Sequence, residues 1–132
     1  MTERVLVYGT LRRDGSNGHR MKSSRFLGEA SVRGRLYRVD CYREFAYPAF
    51  VPDGDATEVR GELFEVPPEV LAELDEFEGD EYDRILLPLV QISEGLPIDS
   101  HPTEAWVWTW KGSVQELTPL PGGDWLQASE LP

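Results

Sequence analysis

The chain has 132 residues, of which 40% are hydrophobic and 28% charged, and its formal net charge is −11. A chain of this length can bury a substantial core, so residues 1–132 are predicted to form a single domain. The negative charge argues against nucleic acids and anionic membranes as partners. Cys41 is the only cysteine, and neither a signal-like N-terminus nor an 18-residue apolar run is present, which favours a cytoplasmic protein.

Six apolar or alternating segments are predicted as β-strands. They are residues 5–8, 32–39, 46–51, 59–66, 82–92 and 103–110. The second and fourth segments resemble one another, VRGRLYRV against VRGELFEV, and the glycine inside each indicates a bulge or a sharp bend. Arg35 and Arg38 of one copy become Glu62 and Glu65 of the other. Opposite charges at matching positions predict that these two strands are neighbours in the sheet.

One helix is predicted between Pro67-Pro68, which suit a helix start, and Gly79, which suits a helix end. Its apolar positions recur at helical spacing and form one face, Val70, Leu71, Leu74 and Phe77. Glu78 continues that face toward the core, whereas Glu69, Glu73 and Glu76 point away from it. With about six strands against one helix, the sequence predicts an α/β (α+β) domain with a closed or nearly closed sheet.

An inward-facing glutamate in the last turn of a helix is an unusual feature. Burial and the negative end of the helix dipole both disfavour the charged carboxylate, so the pKa of Glu78 is expected to be raised. A raised carboxyl pKa suits a general acid/base near neutral pH. A structural ion pair between Glu78 and Arg84 is the alternative.

The turn after the first strand is a second candidate for chemistry. The strand ends at Gly9-Thr10, where backbone N–H groups leave the sheet and can form a concave site for a carboxylate or an oxyanion. An ordinary turn is the alternative reading of this segment. His19 and His101 lie far apart, so neither a metal site nor a cofactor is expected.

The C-terminal part of the chain is rich in tryptophan. Trp106, Trp108 and Trp110 alternate on one face of the last predicted strand, which suits core packing or a homodimer contact, and one of them could roof a pocket. The tail from Thr118 is predicted to be irregular and anchored by Trp125. Turns are predicted at residues 52–55 and 93–97.

These motifs together resemble the gamma-glutamylcyclotransferase-like family, specifically its AIG2-like/BtrG-type branch. The matching segments are Val7-Tyr8-Gly9-Thr10-Leu11-Arg12 with Asn17 and His19, Tyr47-Pro48-Ala49, Val59-Arg60-Gly61-Glu62-Leu63-Phe64, Leu74-Asp75-x-x-Glu78-Gly79-x-x-Tyr82-x-Arg84, the strand ending at Trp110, and Gly123-Asp124-Trp125. The resemblance spans nearly the whole chain in order. It implies a small mixed β-barrel of about six strands, one or two flanking helices, and a pocket at one end.

The resemblance also implies a reaction. Family members release an amine from a gamma-glutamyl amide or amine and close the glutamyl part into 5-oxoproline, without a cofactor. By resemblance Glu78 is the acid/base and the segment Tyr8, Gly9, Thr10 and Leu11 binds a small-molecule substrate.

Three further residues are expected at the substrate or close to Glu78. Tyr82 and Arg84 share a face of their strand and are expected to orient Glu78 or close the pocket. Trp108 stands where family members usually carry Tyr, which points to a different substrate. Two other classes stay open: a non-catalytic protein that binds an amino-acid-like ligand with the same fold, and a subunit that serves a protein partner.

Overall fold

The computed structural model describes residues 3–13, 15, 17–42, 45–92 and 104–125. These residues form eight strands, one α-helix and two short 3₁₀ turns, the latter at Gly18–Met21 and Gly79–Glu81. In chain order the strands and the helix are β1 (Glu3–Val7), β2 (Arg25–Tyr42), β3 (Phe45–Pro52), β4 (Glu58–Val66), α1 (Pro68–Glu78), β5 (Tyr82–Pro88), β6 (Gln91–Ile92), β7 (Glu104–Trp110) and β8 (Thr118–Pro119).

Six strands form the main sheet, in the order β3-β2-β4-β1-β7-β5, and the short strands β6 and β8 pair with β2. Strands β1 and β7 are parallel, and the other neighbours are antiparallel. The two outermost strands, β3 and β5, approach one another. Their proximity is shown by the Tyr82 hydroxyl of β5, which donates a hydrogen bond of 2.5 Å to the Pro48 carbonyl of β3. The sheet is therefore curled into a barrel-like shape flanked by one helix, which confirms the predicted fold class.

Two hydrophobic clusters lie on the two faces of this curled sheet. The inner cluster fills the barrel and contains, among others, Leu6, Val32, Leu36, Phe50, Val59, Leu63, Val107 and Trp125. The outer cluster packs α1 against β1, β4 and β7 and contains, among others, Val5, Val7, Phe64, Val66, Val70, Leu71, Leu74 and Trp108. Burial of Trp125 in the inner cluster confirms that this residue anchors the tail.

The predicted helix is confirmed at both ends. Pro68 occupies the first turn, and Gly79 follows the last residue with a φ of 77°, a conformation that favours glycine. The predicted apolar face is buried against the sheet, whereas Glu73 and Glu76 are exposed. Helical periodicity therefore placed α1 and its inward face correctly.

The two similar segments lie in the neighbouring strands β2 and β4, which confirms the prediction. Arg33 of β2 lies opposite Glu58 of β4, whereas Arg35 lies opposite Val51 of β3. The cause is the length of β2, whose 18 residues pair first with β4 and then with β3. Opposite charges face each other at two positions of β2 and β4, Arg25 with Glu65 and Arg33 with Glu58, but Glu29 lies opposite Glu62. Arg35 and Arg38 lie opposite residues of β3.

Several boundaries also differ from those predicted. The predicted strand at residues 82–92 is divided into β5 and β6 after Pro88, since proline has no N–H to donate to a sheet. The tail is not wholly irregular, because β8 pairs with β2. The predicted turn at residues 93–97 lies outside the described residues. No helix among the described residues is long and apolar enough to cross a membrane.

Gly34 leaves space for the fully buried ring of Phe50. A Cβ at Gly34 would collide with that ring and with the Val51 carbonyl, so we expect Gly34→Ala to lower the free energy of unfolding by about 1–3 kcal/mol. Gly54→Ala is the matched control, because nothing lies within 4 Å of its added Cβ. Urea unfolding of both variants measures the difference, and equal stabilities would contradict this packing argument.

Candidate active site

A pocket of about 310 Å³ opens at one end of the barrel. The segment after β1, the middle of β3 and the end of α1 surround it, together with residues of β5 and β7. Its lining residues are Val7, Tyr8, Gly9, Thr10, Leu11, Asn17, Tyr47, Pro48, Phe77, Glu78, Glu81, Tyr82 and Trp108. The structure thus brings together all the predicted site residues except Arg84.

The segment after β1 is held in a compact loop by its own hydrogen bonds. The Arg12 N–H donates to the Gly9 carbonyl at 3.1 Å, and the Asn17 N–H donates to the Thr10 carbonyl at 2.8 Å. The Asn17 side-chain amide also donates to the Thr10 hydroxyl at 3.1 Å. Gly9 packs so tightly against Pro48 that a Cβ there would overlap the proline ring. Glycine is therefore needed for close approach of the loop and β3.

The loop leaves polar groups available beside the pocket. Within the part of the chain that the structure describes, the N–H groups of Gly9, Thr10 and Leu11 donate to no backbone carbonyl. The Thr10 hydroxyl oxygen accepts a hydrogen bond from Asn17, and a hydroxyl that accepts can still donate its own O–H. Amide and hydroxyl donors of this kind can bind an anionic group. The binding role of these residues stays a prediction.

Glu78 is the last residue of α1 and is partly buried in the pocket wall. Burial, and second the negative charge of Asp75, raise the pKa of Glu78 from 4.5 to about 7. Burial disfavours the ionised form because the carboxylate loses water, and a neighbouring carboxylate adds repulsion. A carboxyl group that is half protonated near pH 7 is able both to accept and to return a proton.

Two tyrosines flank Glu78 and remain protonated. Tyr8 donates its hydroxyl proton to the Trp108 carbonyl at 2.7 Å, and Tyr82 donates to the Pro48 carbonyl. Burial, chiefly, raises the pKa of both phenols well above the ordinary value of 10.0, and the nearby Glu78 adds to the effect. Their phenol oxygens are neutral acceptors rather than proton donors to a ligand.

Arg84 and Trp108 both bind Asp75 rather than Glu78. Arg84 Nε and Trp108 Nε1 each lie 2.9 Å from Asp75 Oδ1. Arg84 does not line the pocket. It was expected to reach Glu78, but it contacts Asp75, which lies one helical turn earlier. The indole N–H of Trp108 is already donated, so it is not available to a substrate.

Several lining residues had no role in the sequence-based prediction. Tyr47 donates its hydroxyl to the Glu81 carboxylate at 3.1 Å, and the two residues form part of the pocket rim. Phe77 was assigned to the helix face alone. The described lining contains two carboxyl groups, Glu78 and Glu81, and no lysine or arginine. The Tyr47-Pro48-Ala49 motif was the signal that could have placed β3 at the site.

A buried ionic network attaches the loop after β1 to β4. The Glu62 carboxylate of β4 accepts from the Arg13 N–H at 2.7 Å and lies 3.9 Å from Arg12 Nε. Arg12 Nη1 also donates to Asp124 at 2.8 Å. Arg12 and Glu62 are 7% and 3% exposed, so neither charge is shared with bulk water. The network ties β4 and the C-terminal segment to the loop that borders the pocket.

The fold and the pocket together define a small barrel protein with a protonatable carboxyl group facing an amide-rich loop. The chain belongs to the family described as gamma-glutamyl cyclotransferase, AIG2-like, whose model matches residues 5–127. This confirms the family suggested by the sequence motifs, although it does not test the narrower BtrG-type branch. No group of three or more His, Cys, Asp or Glu side chains suited to a metal ion occurs among the described residues.

Known proteins of this family resemble the chain along nearly its whole length. It is 33% identical over 132 residues to the gamma-glutamylcyclotransferase family protein ytfP of Citrobacter rodentium, covering 96% of this chain and 98% of the relative. The solution structure of ytfP from Escherichia coli has a TM-score of 0.62 at 28% identity, covering 96% and 98% of the two chains. A mouse AIG2-like protein shares the fold, with a TM-score of 0.67 at 24% identity over 87% of this chain and 81% of its own.

The buried network gives a stability prediction. Arg12→Gln removes one partner from a buried carboxylate, so we expect the free energy of unfolding to fall by about 3–5 kcal/mol. Arg35→Gln is the control, because Arg35 pairs with Asp53 on the exposed surface and such a pair contributes at most about 1 kcal/mol. Urea unfolding compares the two, and losses of similar size would show that burial of the Glu62 charge does not matter.

The raised pKa of Glu78 predicts how the free energy of unfolding depends on pH. The folded-state pKa of about 7 lies above 4.5, so the folded protein binds this proton more tightly and loses stability as the pH rises through that interval. At roughly 1.4 kcal/mol for each pKa unit, ionised Glu78 costs about 3 kcal/mol. We expect Glu78→Gln to be more stable than the wild type by about this amount at high pH.

The difference between Glu78→Gln and the wild type should disappear at pH values below 4.5, where both carry a neutral group at this position. Urea unfolding across that pH range measures it. Glu73→Gln, on the exposed face of the same helix, controls for the general effect of removing a negative charge. A difference between Glu78→Gln and the wild type that does not change with pH would contradict the raised pKa.

Proposed function

We propose that this protein is a cyclotransferase that acts on gamma-glutamyl amides or amines, releasing the amine and forming 5-oxoproline. The observation that carries the proposal is the Glu78 carboxyl group, protonatable near pH 7, in a pocket also lined by residues 9–11, whose N–H groups donate to no backbone carbonyl within the described part of the chain. Membership of the gamma-glutamyl cyclotransferase family supports the same reaction class.

The reaction needs no nucleophile from the protein. The substrate's own α-amino nitrogen attacks its γ-carbonyl carbon, which forms the C–N bond of a five-membered lactam. The bond between that carbon and the departing nitrogen then breaks. Two protons leave the α-ammonium, because the lactam nitrogen keeps one hydrogen, and two join the departing nitrogen, which leaves as an ammonium, so atoms and charge balance without the consumption of water.

Glu78 would carry these protons one at a time. Its carboxylate accepts the first proton from the α-ammonium before the attack and returns it to the departing nitrogen, and the second proton, lost from the α-nitrogen after the attack, follows the same route through the carboxyl group or through solvent to the released amine. A pKa of about 7 suits both steps at neutral pH, because each protonation state is then well populated. Acid/base assistance of this kind contributes roughly 10²–10⁴-fold to the rate.

The loop at residues 9–11 would hold the substrate in the bent conformation that cyclisation requires. The described part of the pocket lining offers no cationic side chain, and there an α-carboxylate or a developing oxyanion would depend on backbone N–H groups and the Thr10 hydroxyl. Fixing the two reacting groups of one molecule against each other can contribute up to ~7–11 kcal/mol. Tyr8 and Tyr82 would form neutral walls around Glu78.

Mass spectrometry of reaction products tests the proposal. We expect wild-type protein to form 5-oxoproline from at least one member of a panel of gamma-glutamyl amides and amines. Glu78→Gln should lose at least about 10²-fold of that rate, since the amide cannot transfer the proton. Glu73→Gln, an exposed change on the same helix, should keep full activity.

The identity of the product separates the alternatives. Release of glutamate instead of 5-oxoproline would mean that water attacks the γ-carbonyl, and the protein would be an amidohydrolase. An N-acetylated substrate has no free α-amine and should give no product by the proposed route. Saturable binding of gamma-glutamyl compounds without any turnover would favour a non-catalytic binding protein.

A further inference from the structure

Asp75 is the point at which three elements of the site meet. One carboxylate oxygen, Oδ1, accepts a hydrogen bond from Arg84 Nε of β5 and another from Trp108 Nε1 of β7, each at 2.9 Å. The Arg84 guanidinium also lies 4.5 Å from the Trp106 ring, on the same side of these two strands. A single side chain of α1 is therefore joined to both strands that flank the pocket.

The position of Asp75 along α1 relates this junction to Glu78. Residues three apart on a helix are surface neighbours, so the two carboxyl groups lie on adjacent turns of the same side of α1. The Gly79 N–H also donates to the Asp75 backbone carbonyl, which ends the helix immediately after Glu78. The last turn of α1, including Glu78, is thereby attached to the sheet at Asp75.

We infer that Asp75 is a positioning residue for Glu78, which fixes the end of α1 and the Trp108 indole against the pocket and presents a negative charge to the Glu78 carboxyl group. The inference rests on the proposed function for its catalytic meaning. Its structural and electrostatic parts concern Glu78 in the protein without substrate.

Among the described residues, Asp75 is the charged group whose repulsion contributes to the raised pKa of Glu78. The hydroxyls of Tyr8, at the end of β1, and Tyr82, at the start of β5, are neutral. Glu81, in the turn that follows the helix, is exposed and accepts from Tyr47. Arg84 lies beyond Asp75 and moderates the charge of that carboxylate. Burial and Asp75 are the two causes that raise the pKa of Glu78.

Asp75→Asn separates charge from geometry. The amide oxygen of Asn can still accept from Arg84 and Trp108, but the negative charge is gone. We expect the pKa of Glu78, followed by carbon NMR of labelled glutamate carboxyl groups, to move from about 7 toward 4.5. If the proposed reaction occurs, the acidic limb of its pH–rate profile should move to lower pH by the same amount.

Asp75→Ala removes the hydrogen-bond acceptor as well. We expect the indole N–H resonance of Trp108 to keep its hydrogen-bonded position in Asp75→Asn and to move toward that of a solvent-exposed indole in Asp75→Ala. Glu76→Gln removes a neighbouring exposed charge from the same helix and should change neither the Trp108 resonance nor the titration of Glu78.

Arg84→Gln gives a test of opposite sign. Without the guanidinium the Asp75 charge is less compensated, so the pKa of Glu78 should rise rather than fall. A merely structural role for Asp75 would loosen the site in both variants, admit water, and lower the pKa of Glu78 in both. Equal downward shifts in Asp75→Asn and Arg84→Gln, or no shift in Asp75→Asn, would overturn the inference.

The NMR titration needs no turnover, so its outcome is independent of the proposed function. Shifts of the expected signs without 5-oxoproline from the wild type would leave the role of Asp75 standing and remove the cyclotransferase proposal. Turnover by the wild type together with an unchanged Glu78 titration in Asp75→Asn would support the cyclotransferase proposal and overturn the role of Asp75.

Discussion

The buried carboxylate of Glu62 is the constraint on which the pocket depends. Its cationic partners, Arg12 and Arg13, both belong to the loop after β1, and Arg12 also reaches Asp124 near the end of the described chain. A buried charge that loses its partner is costly, so the loop cannot move away from β4 without a large loss of stability. The loop is thus held by its side chains, and within the described part of the chain the N–H groups of Gly9, Thr10 and Leu11 donate to no backbone carbonyl.

The same chain uses carboxyl groups in two opposite ways. Glu62 is surrounded by arginine and by a backbone N–H, which together suit an ionised carboxylate. Glu78 has only neutral phenols beside it and a second carboxylate, Asp75, one turn earlier. The difference lies in which neighbours the fold provides and not in the extent of burial alone. The chain therefore separates a charge-paired carboxylate, Glu62, which holds the loop, from a carboxyl group with a raised pKa, Glu78, which lines the pocket.

Local sequence pattern predicted the features that depend on one element at a time. The helix, its inward face and the placement of Glu78 follow from a 3.6-residue period with proline and glycine at the ends. Features that depend on the path of the chain could not be predicted in this way. The pairing of Arg35 with β3 requires the bend of β2, and the contact of Arg84 with Asp75 requires knowledge of how α1 crosses β5. The match of residues 5–127 to the family model supplies the fold but not these contacts.

The Trp108 position shows why such contacts matter for substrate choice. Trp108 was expected at the substrate by resemblance, but its indole N–H is donated to Asp75. Trp108 therefore borders the pocket without a free side-chain donor. Among the described lining residues, polar side chains are then supplied by Thr10, Asn17 and the rim pair Tyr47 and Glu81. The charged side chains of the described lining are the carboxyl groups of Glu78 and Glu81, so an anionic group placed at this rim would lie against the Glu81 carboxylate.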